Sequence, residues 1–136
     1  MDDALRDSFD RIVERQVDEL PYTIQLLLQE TPLLVEDHPS PALLEDLGLR
    51  PEQSRELCGV YAGIGLTERS HEDSMVEPET ITIFREGLLA LVDSMDGDGH
   101  ASREELLARE IRITILHEVG HHFGLDEDDL AALGYA

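Results

Sequence analysis

A chain of 136 residues that is 41% hydrophobic is long enough to bury one core, and it is predicted to form a single domain over residues 1–136. Its 31 acidic residues against 10 arginines give a formal net charge of −21, which excludes nucleic acid and anionic membrane surfaces as expected partners. The single cysteine, Cys58, excludes a disulfide framework, and no secretory leader or membrane-length apolar run is visible, so a cytoplasmic location is predicted.

The N-terminal quarter of the chain is predicted to be mostly helical. Residues 2–20 place apolar side chains at helical spacing with charges between them, which predicts an amphipathic helix that Pro21 ends. Residues 22–30 are predicted to form a short helix or a turn. The apolar run over residues 33–37 then favours a strand, which two nearby prolines close.

The middle of the chain is predicted to alternate short helices with strands. Residues 42–49 favour a short helix, and the glycine-containing run over residues 57–64 favours a strand. An acidic, exposed loop is predicted over residues 68–79. The β-branched residues at 80–84 indicate the clearest strand of the chain, and a helical pattern follows over residues 85–94.

A long helix is predicted in the last third of the chain. Ser102 is followed three residues later by Glu105, a capping box that starts the helix at about Arg103. Regularly spaced apolar residues keep the helix largely buried as far as Phe123, and Gly124 is predicted to end it. A buried helix of this kind holds its functional side chains in fixed positions.

Residues 117–121 of this helix have the pattern H-E-x-x-H. His117 and His121 are one helical turn apart, so both imidazoles lie on one face, where their nitrogens can bind a single Zn²⁺ ion. Glu118 flanks the pair and is the candidate general base, which would take a proton from a water molecule. This pattern on a capped hydrophobic helix predicts a catalytic zinc site.

A catalytic zinc ion needs a third protein ligand, and few residues follow His121. The longer pattern H-E-x-x-H-x-x-G-x-x-H is matched through Gly124, and Glu127 then stands where the last histidine would be. Because a carboxylate can bind zinc, Glu127 is the first candidate, with Asp126 or Asp128 as alternatives. Water or another group is the remaining alternative.

The same acidic residues also have a structural explanation. Residues 126–133 are predicted to form a short terminal helix with Asp126 as its N-cap, and Glu127 and Asp128 would suit the dipole of its first turn. A ligand on a later helix is disfavoured because so few residues remain. No methionine follows Met95, so the methionine turn of the metzincins is absent from the sequence.

Three further side chains and one strand bear on this site. His122 is predicted to pack or to support the ligands from outside. Tyr61 and Tyr135 are the phenols available to stabilise an oxyanion, although packing is the favoured role of each. The strand over residues 80–84 is predicted to offer an edge with which an extended peptide substrate pairs.

The block T-I-L-H-E-V-G-H-H-F-G-L at residues 114–125, with the closing L-G-Y-A at 133–136, resembles the small bacterial zincin-like metallopeptidase family, or minimal zincins. Weaker blocks extend the similarity upstream, at residues 35–37, 59–63 and 81–84. The resemblance implies peptidase activity and an α+β zincin-like fold, in which a small mixed β-sheet packs against a long active-site helix with additional helices. Members commonly carry aspartate at the position of Glu127, so the glutamate is a departure.

The chain is therefore predicted to be a zinc-dependent metallopeptidase with one Zn²⁺ ion and Glu118 as general base. Its predicted substrate is a peptide or protein, and the negative field would attract basic peptides. The acidity alternatively serves only a solvated, soluble surface. The alternative function is a zincin-shaped binding or regulatory protein with a weak or vacant metal site, because the third histidine is missing.

Overall fold

A computed structural model describes residues 1–62, 79–95, 102–124 and 127–132, and all statements below concern these residues. They form six α-helices, one 3-10 helix and three strands. In chain order these are α1 (Asp3–Glu19), α2 (Tyr22–Glu30), β1 (Leu33–Glu36), α3 (Pro41–Asp46), the 3-10 helix (Pro51–Glu56), β2 (Gly59–Ala62), β3 (Thr80–Phe84), α4 (Arg85–Ser94), α5 (Arg103–Phe123) and α6 (Glu127–Ala132). The predicted loop over residues 68–79 lies outside the described residues except for Glu79.

Side-chain caps start α1 and α5, close to the positions at which the sequence predicts these two helices to begin. The Leu5 amide donates to the Asp2 carboxylate at 2.7 Å, and the Glu105 amide donates to the Ser102 hydroxyl at 3.1 Å. Each cap satisfies a backbone donor that has no partner inside its helix. Gly124 ends α5 with φ of 68°, so the predicted boundaries of the long helix are confirmed.

None of the described helices is both long enough and apolar enough to cross a membrane.

The three strands form one mixed sheet in the order β1-β3-β2. β1 pairs with β3 in parallel, with Leu33 opposite Ile81, and β2 pairs with β3 in antiparallel fashion, with Tyr61 opposite Ile81. The prediction that residues 80–84 offer a free edge is therefore wrong, because β1 and β2 take up the hydrogen-bonding groups on both sides of β3. With helices packed on this small sheet, the predicted α+β zincin-like fold is confirmed.

The core joins the sheet to α5 and α1. The central strand contributes Ile81 and Ile83, and α5 contributes Ile111 and Ile115, all fully buried. Phe9 of α1 is 1% exposed within the same cluster. Because each fully buried apolar side chain stabilises the fold by about 1.5–3 kcal/mol, this cluster fixes α5 against the sheet.

An ion cluster fastens α1 to the end of β1 and the start of α4. Asp37 accepts from Arg6 at 2.7 Å and from Arg85 at 2.9 Å, and Arg85 also donates to Asp10 at 2.9 Å. Hydrogen bonds from Arg6 and then from Arg85 lower the pKa of Asp37 to about 2, against the opposing effect of burial. The carboxylate therefore stays ionised well below the usual range of aspartate.

Replacing Asp37 with asparagine is expected to lower the free energy of unfolding by about 1 kcal/mol at neutral pH, since partly exposed ion pairs contribute modestly. The folded pKa of about 2 lies below the ordinary value of 3.8, so the stabilisation is present above pH 3.8 and disappears as the pH falls towards 2. Urea unfolding of the wild-type protein and of Asp37→Asn between pH 6 and pH 2.5 measures the difference in their free energies of unfolding. A difference that stays constant through that window would contradict the role of Asp37.

Candidate metal centre

The C-terminal half of α5 brings three potential metal ligands together. Each of His117, Glu118 and His121 offers one ligand atom, and these atoms all lie within 4.8 Å of one another. The two imidazole rings have centroids 4.3 Å apart, as expected for residues one turn apart on a helix. The helix backbone therefore sets the relative position of the two histidines.

The histidines and the glutamate of this group differ in exposure. His117 and His121 are exposed, with the His121 side chain 61% accessible, whereas the Glu118 side chain is 10% accessible. One carboxylate oxygen of Glu118 lies 3.7 Å from Nδ1 of His121. The imidazoles thus open to solvent, and the carboxylate is held in a sheltered position beside them.

This set of donor atoms fits a zinc ion. Zinc takes imidazole nitrogen and carboxylate oxygen as ligands, and a catalytic site keeps at least one position open. Because both histidines are exposed, a metal that they held would be accessible to solvent. The geometry can therefore accommodate a metal that also contacts solvent.

Strand β2 lies directly against this part of α5 because residue 59 is a glycine. A β-carbon at Gly59 would come within 2.8 Å of Cγ2 of Thr114 and 3.4 Å of Cγ of Glu118. Any side chain there would push the strand away from the helix. Strand β2, an outer strand of the described sheet, is therefore held beside Glu118.

His122 is turned away from the metal ligands into a buried polar cluster. Its Nε2 lies 3.1 Å from the Thr31 hydroxyl and 3.2 Å from a carboxylate oxygen of Glu79, and its side chain is 9% accessible. With the proton on Nε2, the ring donates to Glu79. Nδ1 is buried without a hydrogen-bond partner among the described residues.

The cluster around His122 places Tyr61 in a packing role. The rings of Tyr61 and His122 have centroids 4.4 Å apart. Burial raises the pKa of the Tyr61 phenol, and the nearby Glu79 carboxylate, to which the phenol hydrogen-bonds, raises it further. The phenol therefore stays protonated as a donor to Glu79. Tyr135, the other phenol considered, lies outside the described residues.

Sequence reasoning did not find Thr31 and Glu79 as partners of His122. Thr31 is 91 residues away from His122 in the chain, so no local spacing could have revealed the contact. A threonine at the end of a helix is common, so nothing in the sequence indicates that Thr31 is buried. The contact forms because Thr31, directly after α2, and Glu79, directly before β3, both come to lie beside His122 of α5.

The candidates for a third ligand follow the turn at Gly124. The predicted short terminal helix is confirmed as α6, which begins at Glu127. Asp128 is exposed, while the side chain of Glu127 and all of Asp126 lie outside what the structure describes. Glu127, Asp126 and Asp128 therefore remain predictions as ligands.

Comparison with known proteins identifies the family of the chain. No curated protein matches it. A protein-family model described as a zincin-like metallopeptidase matches residues 28–135, a range that contains the sheet, α5 and the three ligand candidates. Since this match covers well over half of the sequence, the chain belongs to the zincin-like metallopeptidase family.

Proposed function

We propose that the protein is a zinc-dependent peptidase in which His117 and His121 hold the metal and Glu118 is the general base. The observation that carries the proposal is the approach of these three ligand atoms to within 4.8 Å on one helix, with the histidines exposed and the glutamate buried. The family match supports a metal-dependent peptidase. A buried carboxylate next to an open metal position is the arrangement that hydrolysis requires.

The chemistry divides between the metal and the protein. Zinc would supply a Lewis acid that polarises a water molecule and the scissile carbonyl. Glu118 would accept the proton of the attacking water and then donate it to the leaving amine nitrogen. Its low exposure keeps the carboxylate in one orientation between these two transfers.

Within the described sheet β2 is an outer strand and β3 is not, so we assign the edge for an extended substrate to β2. β2 lies at one end of the strand order, and Gly59 brings it against Glu118. A peptide paired along β2 would therefore pass beside the general base. Main-chain hydrogen bonds to the strand would hold the scissile bond in place while leaving side-chain preference open.

Glu127 is our proposed third ligand, with Asp126 or Asp128 as alternatives. α6 starts at Glu127, three residues after Gly124, which ends α5 in the left-handed conformation. A carboxylate at this position would complete a set of two histidines and one acid, a common composition of catalytic zinc sites.

The net charge of −21 favours basic peptides as substrates, because a negative field attracts cationic chains.

The decisive experiment is a zinc titration of untagged protein that has been stripped with a chelator and dialysed. We expect one zinc ion per chain, a raised melting temperature, and hydrolysis of a quenched fluorescent peptide library that a chelator abolishes. His117→Ala should weaken zinc binding by more than about 100-fold, because a direct ligand is lost.

The matched control for this experiment is His38→Ala. His38 is an exposed histidine that lies outside the ligand group, so its loss should leave zinc affinity unchanged. Failure of the wild-type protein to take up zinc at micromolar concentrations would refute the proposal. That result would favour the alternative of a zincin-shaped binding or regulatory protein.

A further inference from the structure

A groove of about 630 Å³ lies between α1, α2 and β1. Its apolar wall is formed by Val13 and Val17 of α1, Leu28 of α2, and Leu33 and Val35 of β1. None of the residues that line it belongs to α5, so the groove is separate from the metal centre. Its volume is within the range of pockets that bind small ligands or peptide side chains.

The mouth of the groove is acidic. Asp10, Glu14 and Asp18 line it from successive turns of α1. Asp10 is paired with Arg85, but Glu14 and Asp18 are exposed and form no ion pair among the described residues. Since Asp10 and Asp37 together neutralise Arg85, the uncompensated charge at the mouth is negative.

One wall of the groove is formed by β1, an outer strand of the described sheet. β1 pairs with β3 on one side and is the last strand of the described sheet on the other. Leu33 and Val35 line the groove and are half-buried, while Leu34 and Glu36 between and after them are exposed. An edge strand of this kind offers main-chain donors and acceptors to an extended segment.

We propose that this groove binds an extended peptide segment of another protein, with apolar side chains flanked by arginine or lysine. The apolar side chains would fill the space between α1 and β1, and the flanking cations would pair with Glu14 and Asp18. The same carboxylates would repel anionic membranes and nucleic acid, so a basic peptide is the ligand that the charge selects. This binding does not depend on hydrolysis at the metal centre.

The test uses fluorescence anisotropy with a fluorescein-labelled peptide of three valines flanked on each side by two arginines. All measurements are made on full-length protein carrying Glu118→Gln, so that the probe is not cleaved. We expect saturable binding that Glu14→Gln with Asp18→Asn weakens about five- to tenfold, as two partly exposed charge pairs are lost.

A matched control removes the same two charges elsewhere. Asp7→Asn with Glu45→Gln alters an exposed aspartate and an exposed glutamate that do not line the groove, and it should leave the dissociation constant unchanged. A probe with serines in place of the valines should bind at least fivefold more weakly. Equal weakening by both double variants, undiminished binding of the serine probe, or no saturable binding would each overturn the proposal.

Discussion

Glu118→Gln is expected to lower kcat/KM for peptide hydrolysis by about 10²- to 10⁴-fold while zinc remains bound. Glutamine has nearly the shape of glutamate but cannot accept a proton from water. Because the Glu118 side chain is 10% accessible and packs beside Gly59, the isosteric replacement leaves its surroundings in place. Activity on a cleavable peptide, together with zinc content measured on the same sample, checks the prediction.

The control for this variant is Glu110→Gln. Glu110 is 9% exposed, so it is a second buried glutamate on α5, but it lies outside the ligand group. Its replacement should leave kcat/KM within about twofold of wild type, since Glu110 lies eight residues before Glu118 on α5 and outside the ligand group. If Glu118→Gln retained full activity, Glu118 would not be the general base. Loss of zinc together with activity would instead make it a ligand.

Phe9→Ala is expected to lower the free energy of unfolding by about 3–5 kcal/mol. Phe9 is 1% exposed and belongs to the core cluster that contains Ile111 and Ile115 of α5. A cavity at this point removes contacts on the side of α5 that faces α1. Equilibrium urea unfolding monitored by circular dichroism gives the difference directly.

Leu26→Ala provides the comparison for this core substitution. Leu26 is 41% exposed, so its truncation should change the free energy of unfolding by only about 0.5 kcal/mol. A loss below about 1 kcal/mol for Phe9→Ala would contradict the prediction. It would show that α1, which precedes the residues matched by the family model, does not fold cooperatively with the rest of the chain.

The features that the sequence predicts well are those set by neighbouring residues. The Ser102 cap and the Gly124 turn act within a few residues of themselves, so the bounds of α5 follow from them. Once the helix forms, the four-residue spacing of His117 and His121 places their side chains next to each other. The strand β3 is likewise evident from the β-branched composition of residues 80–84.

The features that the sequence does not predict depend on distant partners. The strand over residues 80–84 is internal because β1 and β2 flank it. Its β-branched composition would suit an edge strand equally well, so composition alone does not reveal its place in the sheet. Asp37 meets Arg6 and Arg85 across 31 and 48 positions of sequence. Many of the chain's acidic residues could equally have paired with these arginines, so the choice is made by packing.

The topology of the sheet also bears on how the molecule folds. Parallel pairing of Leu33 with Ile81 must close a long stretch of chain, which is entropically costly and slow. The histidine pair needs only successive turns of α5, which form on the microsecond timescale. The paired imidazoles can therefore form before β1 is fixed beside β3, so the two histidines would be in place before the sheet is complete.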